Sequence, residues 1–159
     1  SVLQRKVWLK SGGYLVIDRT EALTSIDVNT GRYVGTTNLA DTVLHTNLEA
    51  ATEIARQLRL RDIGGIIILD FIDMESKEDE RRVLERLEAE IKRDKTKTHV
   101  LGFTSLGLVE MTRKKVRQDL GDFLHRECPC CQGTGRVLSE ATVALRPAGD
   151  LTYEPYTFR

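Results

Sequence analysis

Hydrophobic positions along this chain recur with two periods, and the switches between them mark its elements. Residues 14–18 and 22–29 are short apolar segments joined by the polar link Arg19-Thr20-Glu21, a pattern that predicts a β-hairpin. In the second segment Leu23, Ser25, Asp27 and Asn29 share one face, and Ile26 and Val28 the other. One face is apolar, and the other becomes acidic and polar towards its end, where Thr30-Gly31 closes the strand. Residues 2–10 alternate loosely and read as a lead-in strand before the turn signal Ser11-Gly12-Gly13. Residues 32–46 lack a period and predict a loop, long enough to suggest a functional segment.

The clearest helical pattern follows. Thr46-Asn47-Leu48-Glu49 fits a capping box, with Thr46 as N-cap and Glu49 at the third helical position. Leu48, Ala51, Ile54, Ala55 and Leu58 form its apolar stripe, and Gly64 is the expected stop. Ile66 to Leu69 then run without alternation, as in a strand buried on both faces. A period of two puts Ile66, Ile68 and Asp70 on one face, and Ile67, Leu69 and Phe71 on the other. Helix, glycine turn and strand form the second half of a strand–helix–strand unit, so 22–29 and 66–70 are expected to pair in parallel. That pairing would bring Asp27 and Asp70 to neighbouring strand ends, within reach of one metal ion.

A carboxylate closing an apolar strand is costly unless it is solvated, paired or metal-bound. The plainer reading is that Asp70 starts a turn. Asp73 lies on the other phase and is expected to belong to the turn before the next helix. Ser76 is the expected N-cap of a helix over 77–95, with Val83, Leu84, Leu87 and Ile91 buried and a solvated charged face. Residues 98–104 and 108–111 read as strands around Ser105-Leu106-Gly107. Arg113, Lys114, Lys115 and Arg117 follow as a basic cluster, either a solvated face or a phosphate-contacting wall.

Composition narrows the class. The 159 residues suffice for one domain with a real core. With 24 basic and 24 acidic residues the net charge is zero, which excludes nucleic-acid binding through bulk charge alone but leaves room for a local basic wall. No apolar run approaches the roughly 18 residues of a membrane helix, and the opening residues do not read as a signal peptide. The serine at position 1 suggests an excised fragment.

All three cysteines, Cys128, Cys130 and Cys131, fall in the stretch ECPCCQGTG (127–135). Such clustering is no disulfide framework; it favours metal binding in a reducing compartment. Cys128 and Cys131 have CxxC spacing, and the glycines that follow suit a zinc knuckle. Structural zinc takes four ligands. A second copy could supply the other pair across a two-fold axis, or Cys130, His125 or His99 could complete the site within one chain. A thioredoxin-like redox pair is the third option.

Four stretches taken together resemble the ribonuclease E/G family of bacterial and organellar endoribonucleases: GGYLVIDRTEALTSIDVNTG (12–31), NLEAATEIARQLRLRDIGGIIILDFIDM (47–74), LGLVEMTRKK (106–115) and CPCCQGTG (128–135). The resemblance covers nearly all of residues 1–140. It implies an α/β fold, a mixed sheet with flanking helices like the deoxyribonuclease-I-like catalytic subdomain, over residues 1–124. A zinc-link knuckle (125–136) and a tail without an assigned domain (137–159) would follow. It implies that Asp27 and Asp70 bind a catalytic magnesium, that Asn29 hydrogen-bonds in the site, and that Cys128 and Cys131 share one zinc with the same residues of a second protomer. Arg113, Lys114 and Lys115 remain candidates for RNA contact.

The implied function is magnesium-dependent hydrolysis of single-stranded RNA in a bacterial or organellar cytoplasm, leaving a 5′-phosphate and a 3′-hydroxyl. Homodimerisation through zinc, and a higher homo-oligomer in the full-length protein, go with it. The family's OB-fold RNA-binding domain, 5′-monophosphate pocket, ribonuclease-H-like part and small C-terminal domain have no counterpart here, so the chain reads as a fragment or a short relative. The rival reading is a silent zinc-linked scaffold of an RNA-processing assembly. A phosphodiesterase acting on DNA or small nucleotides would use the same carboxylates.

Overall fold

The computed structural model describes residues 3–31, 39–115, 120–139 and 142. Two compact units result, Ser1–Phe123 and Leu124–Arg159. In the first, strands β1 (Lys6–Trp8), β2 (Tyr14–Arg19), β3 (Leu23–Asn29), β4 (Gly65–Asp70), β5 (Thr98–Phe103) and β6 (Leu108–Arg113) form one sheet, interleaved with helices α1 (Leu39–Arg61) and α2 (Lys77–Ile91). A short helix, α3, spans Leu120–Leu124. The sheet order is β1-β2-β3-β4-β6-β5, parallel only between β3 and β4. The mixed α/β class and the parallel pair agree with the expectation, because a helical crossover between two strands leaves them parallel. Among the described residues, no helix is long and apolar enough to cross a membrane.

Both long helices cover the same face. Leu15, Ile26, Ile67, Leu69, Val109 and Met111 project from the strands onto Ile54, Leu58, Val83 and Leu87, and all are almost wholly buried. The opposite face has no helical layer among the described residues. This corrects the reading of β4 as a strand buried on both sides. Ile67 and Leu69 are sealed, whereas Ile66 is 52% exposed and Asp70 faces solvent. An unbroken isoleucine run cannot distinguish one covered face from two, since only the layers packed on it decide.

Helix α1 also starts earlier than its predicted cap. Residues 39–46, expected in the loop, are helical, while 32–38 lie outside the described residues. Thr46 is buried, and its hydroxyl donates to the Thr42 carbonyl one turn back, a mid-helix bond rather than an N-cap. Glu49 caps nothing. Its carboxylate accepts from the Lys10 and Ser11 amides at 2.6 and 3.0 Å and fastens the β1–β2 turn to the helix. The helix ends at Asp62, whose φ of 51° closes a bond from the Ile63 amide to the Leu58 carbonyl. Gly64 serves a different purpose: a Cβ there would meet Lys115 Cα at 2.9 Å. Ser76 does cap α2 as expected, its hydroxyl accepting from the Asp79 amide, though the helix stops at Ile91.

Candidate active site

The parallel pairing fixes the chemistry. β3 and β4 run in register from Leu23 opposite Ile66 to Asp27 opposite Asp70, so the two acids end adjacent strands. The same alternation that buries Ile26 and Ile67 turns Asp27 and Asp70 to the open face. Adjacent strands lie about 4.8 Å apart. Asn29, two residues on, donates its amide to Asp27 Oδ2 at 2.8 Å and orients that carboxylate.

Asp70 titrates above the usual carboxyl range. Desolvation at the end of the sheet is the main cause, and the charges of Asp27 and then Asp73 add to it. Asp73 lies in the irregular connection between β4 and α2, not in a turn, near enough for its charge to be felt. Among the described residues, no basic side chain forms a salt bridge with Asp27, Asp70 or Asp73. Like charges held together without a counter-ion suit an added cation. Magnesium is often held by one or two carboxylates together with waters and phosphate oxygens. This pair therefore fits such an ion, even though no cluster of three ligating side chains occurs among the described residues.

A residue that the sequence reading misplaced holds the end of β4. Asn47 is wholly buried; it donates to the Ile72 carbonyl at 2.8 Å and accepts from the Ile72 amide at 3.1 Å. It sits on the core-facing stripe with Ala50, Ala51 and Ile54, and a polar residue on such a stripe needs a partner. That was the available signal, hidden by the apparent capping box.

The basic cluster divides. Arg113 lies inside β6, 4% exposed, and is no phosphate contact. Its guanidinium binds Asp94 and Asp62, each at 2.9 Å, the Ile63 carbonyl at 2.8 Å and Thr96 at 3.2 Å. Strand alternation turned it inward, two residues beyond the predicted strand end. Lys114 and Lys115 are exposed; Arg117 lies outside the described residues. His45, His99 and His125 are all exposed and occupy separate elements.

In the second unit no disulfide joins Cys128, Cys130 and Cys131. The Gly135 amide points at Cys131 Sγ at 3.3 Å. The Cys131 amide, then that of Cys130, then the Cys131 side chain draw the Cys128 thiol below its usual range. Left-handed Gln132, Gly133 and Gly135 fold the turn, tied by Gln132 N–H to the Cys128 carbonyl at 2.8 Å. Amides aimed at sulfur favour thiolates.

Comparison with known proteins places this geometry. The profile of the Ribonuclease E/G family matches residues 1–116. The chain belongs to the ribonuclease E/G family. It is 57% identical to Ribonuclease G of Escherichia coli K12 over 141 residues, 89% of this chain and 29% of that protein. Over 143 residues it is 54% identical to Ribonuclease G of Haemophilus influenzae, 90% of this chain and 29% of that one. Over 136 residues it is 50% identical to Ribonuclease E of a Synechocystis species, 86% of this chain and 20% of the relative. The chain thus spans less than a third of the length of these curated ribonuclease E/G relatives.

Proposed function

We propose that the paired strand ends form the centre of a magnesium-dependent endoribonuclease acting on single-stranded RNA, leaving a 5′-phosphate and a 3′-hydroxyl. The observation that carries this is the register of Asp27 against Asp70 on an open sheet face, in a chain whose relatives are named Ribonuclease G and Ribonuclease E. Asp27 and Asp70 would hold the ion, and Asn29 would keep Asp27 in its rotamer. The bound ion supplies Lewis-acid polarisation of the phosphate and a more acidic water. The open face admits an extended strand to these groups, and Asn47 keeps the β4 end in place beneath them.

The proposed organisation is a catalytic part over residues 1–124, a zinc link over 125–136 and a tail over 137–159 without an assigned role, working in the cytoplasm. In the link, Cys128 and Cys131 would share one zinc with the same two residues of a second copy, and amides aimed at sulfur support this. The homodimer so formed would be part of a larger homo-oligomer in a longer protein. Because the chain spans 29% of its Ribonuclease G relatives, a scaffold with a silent acidic site is the second reading. Cleavage of a short single-stranded RNA with magnesium, against an EDTA control, separates them. Wild type should cut and Asp27→Asn and Asp70→Asn should not, with fold and zinc content unchanged. A chain that dimerises but never cuts supports the scaffold.

A further inference from the structure

The row beside the acidic pair carries an aromatic shelf that the reaction centre does not use. Register aligns Lys6, Val16, Asp27 and Asp70 across four strands, and Trp8, Tyr14 and Asn29 in the next row. All these side chains therefore share the open face. Trp8, on the edge strand, is 64% exposed. Its ring rests against Tyr14 edge-on, with centroids 5.3 Å apart, so Tyr14 fixes the ring while leaving indole surface free. Lys6 holds its ammonium 3.5 Å from the Tyr14 centroid and 4.1 Å from that of Trp8.

Beside the rings lies a hollow of about 490 Å³, walled by Lys6, Trp8, Tyr14, Asn29, Thr30 and the backbone of Gly12 and Gly31. Gly31 has φ 66°, and a Cβ there would meet the Gly12 carbonyl at 2.2 Å, so only glycine permits this close floor. The volume is in the range of small-ligand sites. An exposed indole, a neighbouring phenol and one lysine ammonium are the parts that bind a nucleobase and its phosphate in single strands. Two strand spacings, about 10 Å, separate Trp8 from Asn29, which in turn holds Asp27.

We propose that Trp8 and Tyr14 form a stacking subsite for an unpaired base of the RNA next to the scissile phosphate, with Lys6 swinging from the rings to the adjoining phosphate. This rests on the reading of Asp27 and Asp70 as the reaction centre. It adds that the substrate must present an unstacked base on the β1 side of that centre. A duplex cannot offer one without opening.

Trp8 is the only tryptophan, so its fluorescence reports on the shelf directly. The protein is titrated with a short single-stranded RNA in EDTA at low salt, then with the same RNA as a duplex and as an abasic strand. The subsite predicts saturable quenching by the single strand and little by the other two. Trp8→Ala, followed by fluorescence polarisation of labelled RNA, should bind on the order of tenfold more weakly, with Trp8→Phe near wild type. On the abasic strand, Trp8→Ala and wild type should bind alike. Equal quenching by abasic and intact strands, or unchanged affinity in Trp8→Ala, would overturn the subsite. None of these readouts needs cleavage. RNA cut by Asp70→Asn would overturn the carboxylate reading while leaving the quenching result to decide the shelf.

Discussion

Replacing Arg113 with methionine tests whether this arginine belongs to the fold or to an RNA interface. Methionine keeps most of the stem's packing and removes the charge. What remains is Asp94, with a side chain only 10% exposed, and Asp62 at 32%. Burial raises the Asp94 carboxyl, but hydrogen bonds from Arg113 and the Thr96 amide outweigh it and hold it below the usual range. Leaving a buried charge unpaired costs about 3–5 kcal/mol. The more exposed Asp62 adds less than about 1 kcal/mol. Small domains are stable by about 5–15 kcal/mol, so roughly a fifth of the total or more is at stake. In urea, with a slope of about 1.5 kcal/mol per molar, the midpoint should fall by about 2–3 M.

Adding Asp94→Asn to Arg113→Met should recover part of that loss by removing the orphan charge. Because the folded Asp94 pKa is depressed, its contribution is present above the unfolded value of about 3.9 and disappears as pH falls through the folded value. Arg113→Met should therefore flatten the acid limb of the stability profile. A loss under about 1 kcal/mol would refute this reasoning. So would weaker RNA binding at unchanged stability, which would return Arg113 to the interface.

Other consequences follow from the same geometry. Two unit charges one strand spacing apart repel by about 1 kcal/mol in water and about 3.5 kcal/mol at an effective permittivity of 20; exposure favours the lower figure. Asp70→Asn should thus stabilise the metal-free fold by about 1 kcal/mol in urea melts. The gain should grow as pH rises from the unfolded value to the raised Asp70 pKa, stay constant above it, and vanish below the unfolded value, where both forms are neutral. Asn47→Leu leaves the part-buried Ile72 amide and carbonyl without their side-chain partner, at up to about 1–3 kcal/mol each, and should lower both stability and any cleavage rate. Native mass spectrometry with metal analysis should find one zinc per two chains, unchanged in Cys130→Ser and lost with the dimer in Cys128→Ser or Cys131→Ser. One zinc per monomer would contradict a shared site.

The acidic pair was legible because its signal is topological. A helix between two strands favours parallel pairing, and with both acids closing their strands the register that results sets Asp27 opposite Asp70. The surroundings were less legible because they depend on contacts distant in sequence. Ile66 resembles Ile67 until the single helical layer exposes one and seals the other. Thr46 and Glu49 satisfy a capping pattern, yet the stripe already includes Val43 and Leu44, and Glu49 is taken by the β1–β2 turn. Arg113 looked like one of a basic series, but Asp62 and Asp94, 51 and 19 residues away, claim it. Trp8 has no periodic signature; its meaning comes from its row.

The most direct test of the central claim is a magnesium titration followed by amide NMR shifts in the wild type and in Asp27→Asn. The account predicts saturable shifts confined to the ends of β3 and β4, at residues 26–30 and 69–73, and their loss in the variant. Shifts over the acidic first turn of α2, at Glu78, Asp79 and Glu80, with the strand ends unmoved would contradict it.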